Sequence, residues 1–160
     1  MPTLRPYRFT DWDDFIALDM ETVMTALPDA PATVRAEFRA RWPEVVKSRY
    51  AWTDAGPTSD ASSLLVCEGD AGEYAGHLWL TEQTDFFTAE RALHVTAIAV
   101  ASSRRKRGIG KMLMEAAVAD AKRRGISHVT LGVDASNAVA ISLYAGLGFK
   151  TKRLAMSMRV

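Results

Sequence analysis

Apolar and polar positions recur along this chain with two different periods, and the changes between them divide it into elements. From Asp11 onward Phe15, Leu18, Val23 and Leu27 fall at helical spacing, which predicts a helix opened by Thr10 or Asp11 as N-cap. Pro28 and Pro31 punctuate it, and a second helix is expected through residues 32–50, bent or broken at Pro43 because proline removes a backbone donor. Residues 3–9 ahead of them read as a short strand, and residues 53–62 as a polar, mobile loop. Residues 62–69 and 74–82 are apolar, β-rich runs joined by Gly-Asp-Ala-Gly, a hairpin, and residues 92–100 form a third such run, expected as a central strand. After it come a loop, a helix over 109–124, a strand over 128–134, a helix over 137–147 and a closing alternating strand over 150–160. The pattern is mixed α/β, with a strand, helix, strand unit at its centre.

Length and composition narrow the class. A chain of 160 residues, 48% hydrophobic, suits one domain over 1–160 with a sizeable core. Its first residues lack a basic segment followed by an apolar run, and no stretch approaches the roughly 20 apolar residues of a membrane span, so the expectation is a cytoplasmic protein away from membranes. Cys67 is the one cysteine, which excludes an internal disulfide and a cysteine-rich zinc site, and its apolar setting reads as buried filler. No metal is expected. The net charge of +1 conceals a division: residues 1–100 carry 16 acidic and 8 basic side chains, residues 101–125 carry 2 and 8. An acidic front and a basic back suit a cationic ligand toward the first and an anion toward the second.

The basic segment leads straight into bare backbone. Arg104, Arg105, Lys106 and Arg107 precede Gly108, Ile109 and Gly110, with Lys111 following, where the loop becomes a helix. Glycines let backbone N–H groups approach a ligand, and a helix N-terminus leaves its first N–H groups unpaired, so the turn suits a polyphosphate. It is not a nucleotide P-loop, because Met112 stands where a magnesium-holding hydroxyl belongs, nor a dinucleotide fingerprint, whose third glycine is replaced by Leu113. A nucleic-acid patch using the four cations is a rival that predicts salt-sensitive binding.

What remains is R-x-x-G-x-G, Arg105 to Gly110, after a strand ending in Val100. Together with Asn137, Ala140, Leu143, Tyr144, Gly148 and Phe149 in the downstream run, it resembles the GNAT superfamily of acyl-CoA-dependent N-acetyltransferases. The resemblance is strong over 95–149 and looser before. It implies a central, mostly antiparallel sheet with a parallel pair splayed at the cofactor site and helices on both faces. It further implies that acetyl-CoA binds with its pantetheine arm along Ile98, Ala99 and Val100, its pyrophosphate on Arg105, Lys106, Arg107, Gly108, Ile109, Gly110 and Lys111, and Asn137 on the arm. Tyr144 matches the family's general acid for the departing thiolate.

The implied reaction is acetyl transfer to a primary amine by direct attack in a ternary complex. His94 is the candidate base: alternation along the strand puts it on one face with Thr96, Ile98 and Val100, and it aligns with a position where several relatives keep a glutamate. Glu82 and Asp85 are alternatives. Relatives that modify ribosomal N-termini often carry a glutamate where Gly132 stands, so a small amine is favoured over a protein or peptide. A non-catalytic acyl-CoA sensor is the other alternative. Phe15, Trp42, Trp52, Trp79, Phe86 and Phe87 are candidates for an aromatic pocket or for core. Homodimerisation stays open.

Overall fold

The computed structural model describes residues 1–25, 30–49, 52–57, 61–85 and 87–158, so the expectations for Leu27, Pro28, Tyr50 and Phe86 lie outside the described residues. In chain order the elements are β1 (Thr3–Pro6), α1 (Trp12–Thr25), α2 (Ala32–Arg49), β2 (Trp52–Thr53), β3 (Gly56–Pro57), β4 (Ser62–Glu68), β5 (Tyr74–Thr84), β6 (Arg91–Val100), α3 (Ile109–Arg123), β7 (His128–Leu131) and α4 (Ala138–Gly146). Five strands form one sheet in the order β1-β4-β5-β6-β7, and β2 and β3 make a separate small hairpin. Every neighbouring pair in the large sheet is antiparallel except β6 and β7, which the α3 crossover makes parallel.

Each face of the sheet carries its own core. On one, Ile109, Leu113, Met114, Ala117 and Ala121 of α3 lie along a single helical stripe over Leu78, Leu80, Leu93 and Val95, with Tyr144 of α4 in the same cluster. On the other, Tyr7, Phe15, Ile16, Val46, Leu64, Val66 and Trp79 pack together beneath α1 and α2. Burial of each Leu or Phe at these positions contributes roughly 1.5–3 kcal/mol, so helices on both faces are held by matched apolar stripes.

Several expectations change. β5, not β6, occupies the middle of the sheet, although β6 is still interior. α2 runs without a break past Pro43. Part of the expected polar loop is the β2–β3 hairpin, in which Trp52 pairs with Pro57. The closing strand is absent: residues 150–158 have no regular structure, and Leu154, Met156 and Met158 are exposed. Alternation specifies which side chains would share a face, but a strand also needs an edge to pair with, and the pattern does not supply one.

The N-terminal cap is also different in kind. A 3-10 turn, Phe9–Asp11, precedes α1, and the Asp11 carboxylate reaches backward instead of capping forward. It accepts from the Arg8 N–H at 2.6 Å and from Arg5 Nη1 and Nη2 at 2.7 and 2.8 Å. Arg5 Nε also donates to Glu68 at 2.5 Å, which ties β1, β4 and the start of α1 together. Burial alone would raise the Asp11 pKa, but the hydrogen bonds from Arg5 and Arg8 outweigh it and hold the carboxyl below its ordinary value.

Replacing Asp11 by Ala removes the two-pronged partner of the half-buried Arg5, which keeps only Glu68, and is expected to cost about 2 kcal/mol in urea unfolding at pH 7. Because the folded pKa is depressed, that contribution is present above the unfolded carboxyl pKa and disappears as pH falls through the folded one. The difference between wild type and Asp11→Ala should therefore shrink below about pH 4.

Candidate active site

The parallel pair does not stay paired. β6 and β7 are in register through Ala92/His128, Leu93/Val129, His94/Thr130 and Val95/Leu131, after which β7 ends while β6 continues five residues to Val100. That segment keeps β5 on its other side, with Ile98, Ala99 and Val100 opposite Leu78, His77 and Gly76. The Ala101 N–H donates to the Ala75 carbonyl at 3.0 Å, which makes that rung a hydrogen-bonded pair. Antiparallel rungs alternate, so Ala99 spends its N–H and C=O on β5, whereas Ile98 and Val100 direct theirs into the gap. Of these groups, the Val100 carbonyl accepts from Arg105 Nε at 3.1 Å. The expected three-residue edge thus reduces to Ile98 and Val100.

Gly76 lets the strands meet at this end. A Cβ there would lie 2.5 Å from the carbonyl oxygen of Ala99, so the position accepts only glycine without moving β6.

Beyond Val100, a 3-10 turn of Ser102–Arg104 carries the chain to the glycine turn. Lys106 and Gly108 both have left-handed backbone, φ 61° and 81°, and Gly108 is the N-cap of α3 without any side-chain cap bond. The first bond of the helix runs from the Met112 N–H to the Gly108 carbonyl, so Ile109, Gly110 and Lys111 have N–H groups with no intrahelical partner. A Cβ on Gly108 would meet nothing within 4 Å, which leaves the approach to these groups open. Gly110 instead packs closely, its missing Cβ 3.2 Å from Leu143 Cδ2 of α4.

The surrounding cations divide. Arg104 pairs with Glu73, Arg105 with Glu21 of α1 at 3.3 Å, and Lys111 loosely with Glu115 at 3.8 Å. Lys106 and Arg107 are exposed and make no ion pair among the described residues. The Arg105 guanidinium is therefore turned toward Val100 and α1.

Tyr144 and His94 lie at the other end of the gap's chemistry. The Tyr144 ring is buried against the α3 core and 6.0 Å from Phe149, and burial raises its pKa, so the phenol stays protonated at neutral pH. Its hydroxyl has no hydrogen-bond partner among the described residues and is reachable from solvent. Asn137 caps α4 by accepting from the Ala140 N–H at 3.1 Å, which engages its carbonyl oxygen and leaves its amide donors.

His94 sits one rung before the strands part. Its Nδ1 is 3.0 Å from Thr130 Oγ1 across the parallel pair, and burial lowers its pKa, so the imidazole is neutral at pH 7. The expected shared face holds for Thr96, whose hydroxyl donates at 2.8 Å to Thr81, the rung partner of His94, and fails for Ile98 and Val100. Leu80 faces Val95 but Trp79 faces Ala97, leaving Thr96 as an extra residue, a bulge that reverses the alternation. Leu93, Val95, Ile98 and Val100 all pack on the α3 face as a result, and His94 lies on the opposite one with Thr130.

The alternative bases are occupied elsewhere. Glu82 is bonded by Arg91 at 2.7 Å, and Asp85 accepts from the backbone of Thr88 and Phe87 and from Arg153, which brings its pKa to about 2. Asp85 also lies in the β5–β6 turn, at the end of β6 remote from the gap. The aromatic candidates are mostly core: Phe15 and Trp79 are buried, Trp52 stacks on Phe15 at 5.1 Å, and Trp42 donates Nε1 to Asp19 at 2.8 Å. Phe87 is exposed beneath Arg153. Cys67 is fully buried, and burial pushes its thiol pKa up, as filler requires.

Neither Thr130 as the residue orienting His94 nor Glu21 as the partner of Arg105 was visible in the sequence. Both contacts join elements far apart in the chain.

Comparison with known proteins agrees with this geometry. The Acetyltransferase (GNAT) family matches residues 29–149. A mycothiol acetyltransferase from Salinispora arenicola is 34% identical over 152 residues, covering 92% of this chain and 44% of that protein. The ribosomal protein bS18-alanine N-acetyltransferase of Salmonella typhimurium is 46% identical over 52 residues, 32% of this chain and 35% of that one. The chain thus spans less than half the length of these relatives. A solved structure described as a putative acetyl transferase from Pyrococcus furiosus superposes with TM-score 0.83 at 22% identity, covering 100% of both chains.

Gly76→Ala should lower the thermal midpoint and weaken acetyl-CoA binding together, because the new methyl collides with backbone of the strand that borders the gap; overpacking of this kind costs about 1–3 kcal/mol. Gly146→Ala, where the added Cβ meets nothing within 4 Å, is the control and should bind as wild type does in the same calorimetric titration.

Proposed function

The chain belongs to the acetyltransferase (GNAT) family, and from that premise we propose that it transfers an acetyl group from acetyl-CoA to a primary amine, a small molecule in preference to a protein N-terminus, by direct attack in a ternary complex. The observation that carries this reading is the unpaired edge of β6 lying next to the uncapped N-terminus of α3. An extended amide-containing arm adds to such an edge as a strand would, and a diphosphate suits free helix N–H groups. The acceptor is not inherited, since the relatives' names differ in what they act on.

The residues present fit acetyl-CoA. Ile98 and Val100 would hold the pantetheine amides, with Asn137 reaching them from the start of α4. The N–H groups of Ile109, Gly110 and Lys111 would hold the pyrophosphate, with Lys106 and Arg107 adding mobile charge. Arg105 contributes its backbone and its clamp on the Val100 carbonyl. Acetyl-CoA supplies an activated thioester.

The chain's own groups perform the rest. A gap-facing N–H of β6 would stabilise the charge that grows on the thioester oxygen, a contribution of about 3 kcal/mol per donor. An alkylamine of pKa ~10.4 costs about 4.6 kcal/mol to deprotonate at pH 7, so a base must receive its proton directly or through water. His94 is neutral and fixed by Thr130, which suits it to that task. As the amine nitrogen bonds to the carbonyl carbon and the C–S bond breaks, Tyr144 would donate to the leaving sulfur. Moving its proton fully to a thiolate is uphill by about 2 kcal/mol even at ordinary pKa values, and burial raises that further, so a hydrogen bond is its contribution.

Coenzyme A release against a panel of amines tests the reading. Tyr144→Phe should keep acetyl-CoA affinity within about twofold and lose on the order of a hundredfold in kcat. In the wild type, kcat/KM for the amine should fall as pH drops through a His94 pKa below 6.5, and His94→Gln should abolish that limb along with most of the rate. Full activity in both variants would contradict these roles, and acetyl-CoA binding with no turnover for any amine would contradict the reaction.

A further inference from the structure

α1 and α2 enclose a groove of about 460 Å³ whose walls include Met20, Glu21 and Met24 from the first helix and Arg35 and Arg39 from the second. Arg35 and Arg39 also line an adjoining hollow of about 370 Å³. Their i, i+4 spacing places both guanidinium groups on one helix face, where like charges disfavour each other. Neither makes an ion pair among the described residues, although residues 1–100 hold 16 acidic side chains. Glu21, the acid in the same groove, is bonded by Arg105.

That bond also connects the groove to the gap. Arg105 donates Nη2 to Glu21 and Nε to the Val100 carbonyl, so one side chain spans from the wall of the groove to the free end of β6. Between the groove wall at Glu21 and the Val100 carbonyl of the strand on which the thioester would rest stands the Arg105 side chain, bonded to both. Met20 and Met24 give the groove an apolar wall, and two guanidinium groups offer parallel donors that match a carboxylate or phosphate.

We propose that this groove binds the acceptor and that Arg35 and Arg39 select amines that also carry an anionic group, a carboxylate or a phosphate. The proposal rests on the transferase reading above and gives its acceptor a chemical class. It reverses the expectation drawn from the acidic front half of the chain: the overall charge of that segment says where acids are numerous, whereas the groove presents cations without an ion pair among the described residues.

Matched amines test it. Binding of glucosamine 6-phosphate and glucosamine, and of leucine and leucinamide, is measured by calorimetry with and without coenzyme A, on wild type and on the Arg35→Gln/Arg39→Gln double variant. At least one anionic member should bind ten-fold or more tightly than its neutral partner. The double variant should erase that preference while acetyl-CoA affinity is unchanged, which shows that it is folded. The phosphate and carboxylate pairs tell which anion is preferred. Equal or tighter binding of both neutral members, no binding of either anionic one at millimolar concentration, or a preference that survives the double substitution overturns the proposal. Failure of the transferase reading is distinct: there acetyl-CoA itself would not bind, or would bind without turnover of any amine.

Discussion

Everything at this site follows from two parallel strands that begin together and then part. A backbone N–H or C=O needs a partner, and β6 keeps extending after β7 has stopped. The cause is local: β7 is four residues long and is followed by Gly132 and the turn into α4, so nothing in the sheet can follow β6 to Val100. β6 remains extended there because β5 holds its other edge, and Gly76 allows that contact to be close. The result is a half-paired strand inside a rigid sheet, a fixed template for an extended ligand.

The bulge at Thr96 sets the stereochemistry around that template. By reversing the alternation it keeps Ile98 and Val100 on the α3 core while His94 stays on the face of α1 and α2. Tyr144 belongs to the α3 core. In the proposed reaction, the base and the groove for the acceptor thus lie on one side of the sheet and the group that meets the leaving sulfur on the other. Attack and departure on opposite sides of the carbonyl would then need no rearrangement of the fold. Arg105 joins the two halves, since its guanidinium touches both α1 and the end of β6.

Much of this was legible in the sequence because the elements that build the gap are local and strongly patterned. The glycine turn and the helix over 109–124 each depend on a few neighbouring residues, and the helix expected from Asn137 begins one residue later, with Asn137 as its N-cap. Three things were not. The Thr96 bulge depends on how β5 and β6 register over many residues, so alternation read along β6 alone put Ile98 and Val100 on the face of His94. The pairing of Arg105 with Glu21 stays out of view because it spans 84 residues of sequence. The strand expected over 150–160 has the right side chains, but residues 150–158 pair with neither edge of the sheet, β1 or β7, and pairing rather than periodicity decides.

The most direct test of the gap as a cradle for coenzyme A is amide hydrogen exchange read by NMR, with and without the ligand. The account predicts new protection at Ile98 and Val100 and at Ile109 to Lys111, with the Ala99 amide unchanged because it already serves β5. Binding that leaves those five amides exchanging freely, or that protects Ala99 in place of its neighbours, would contradict it.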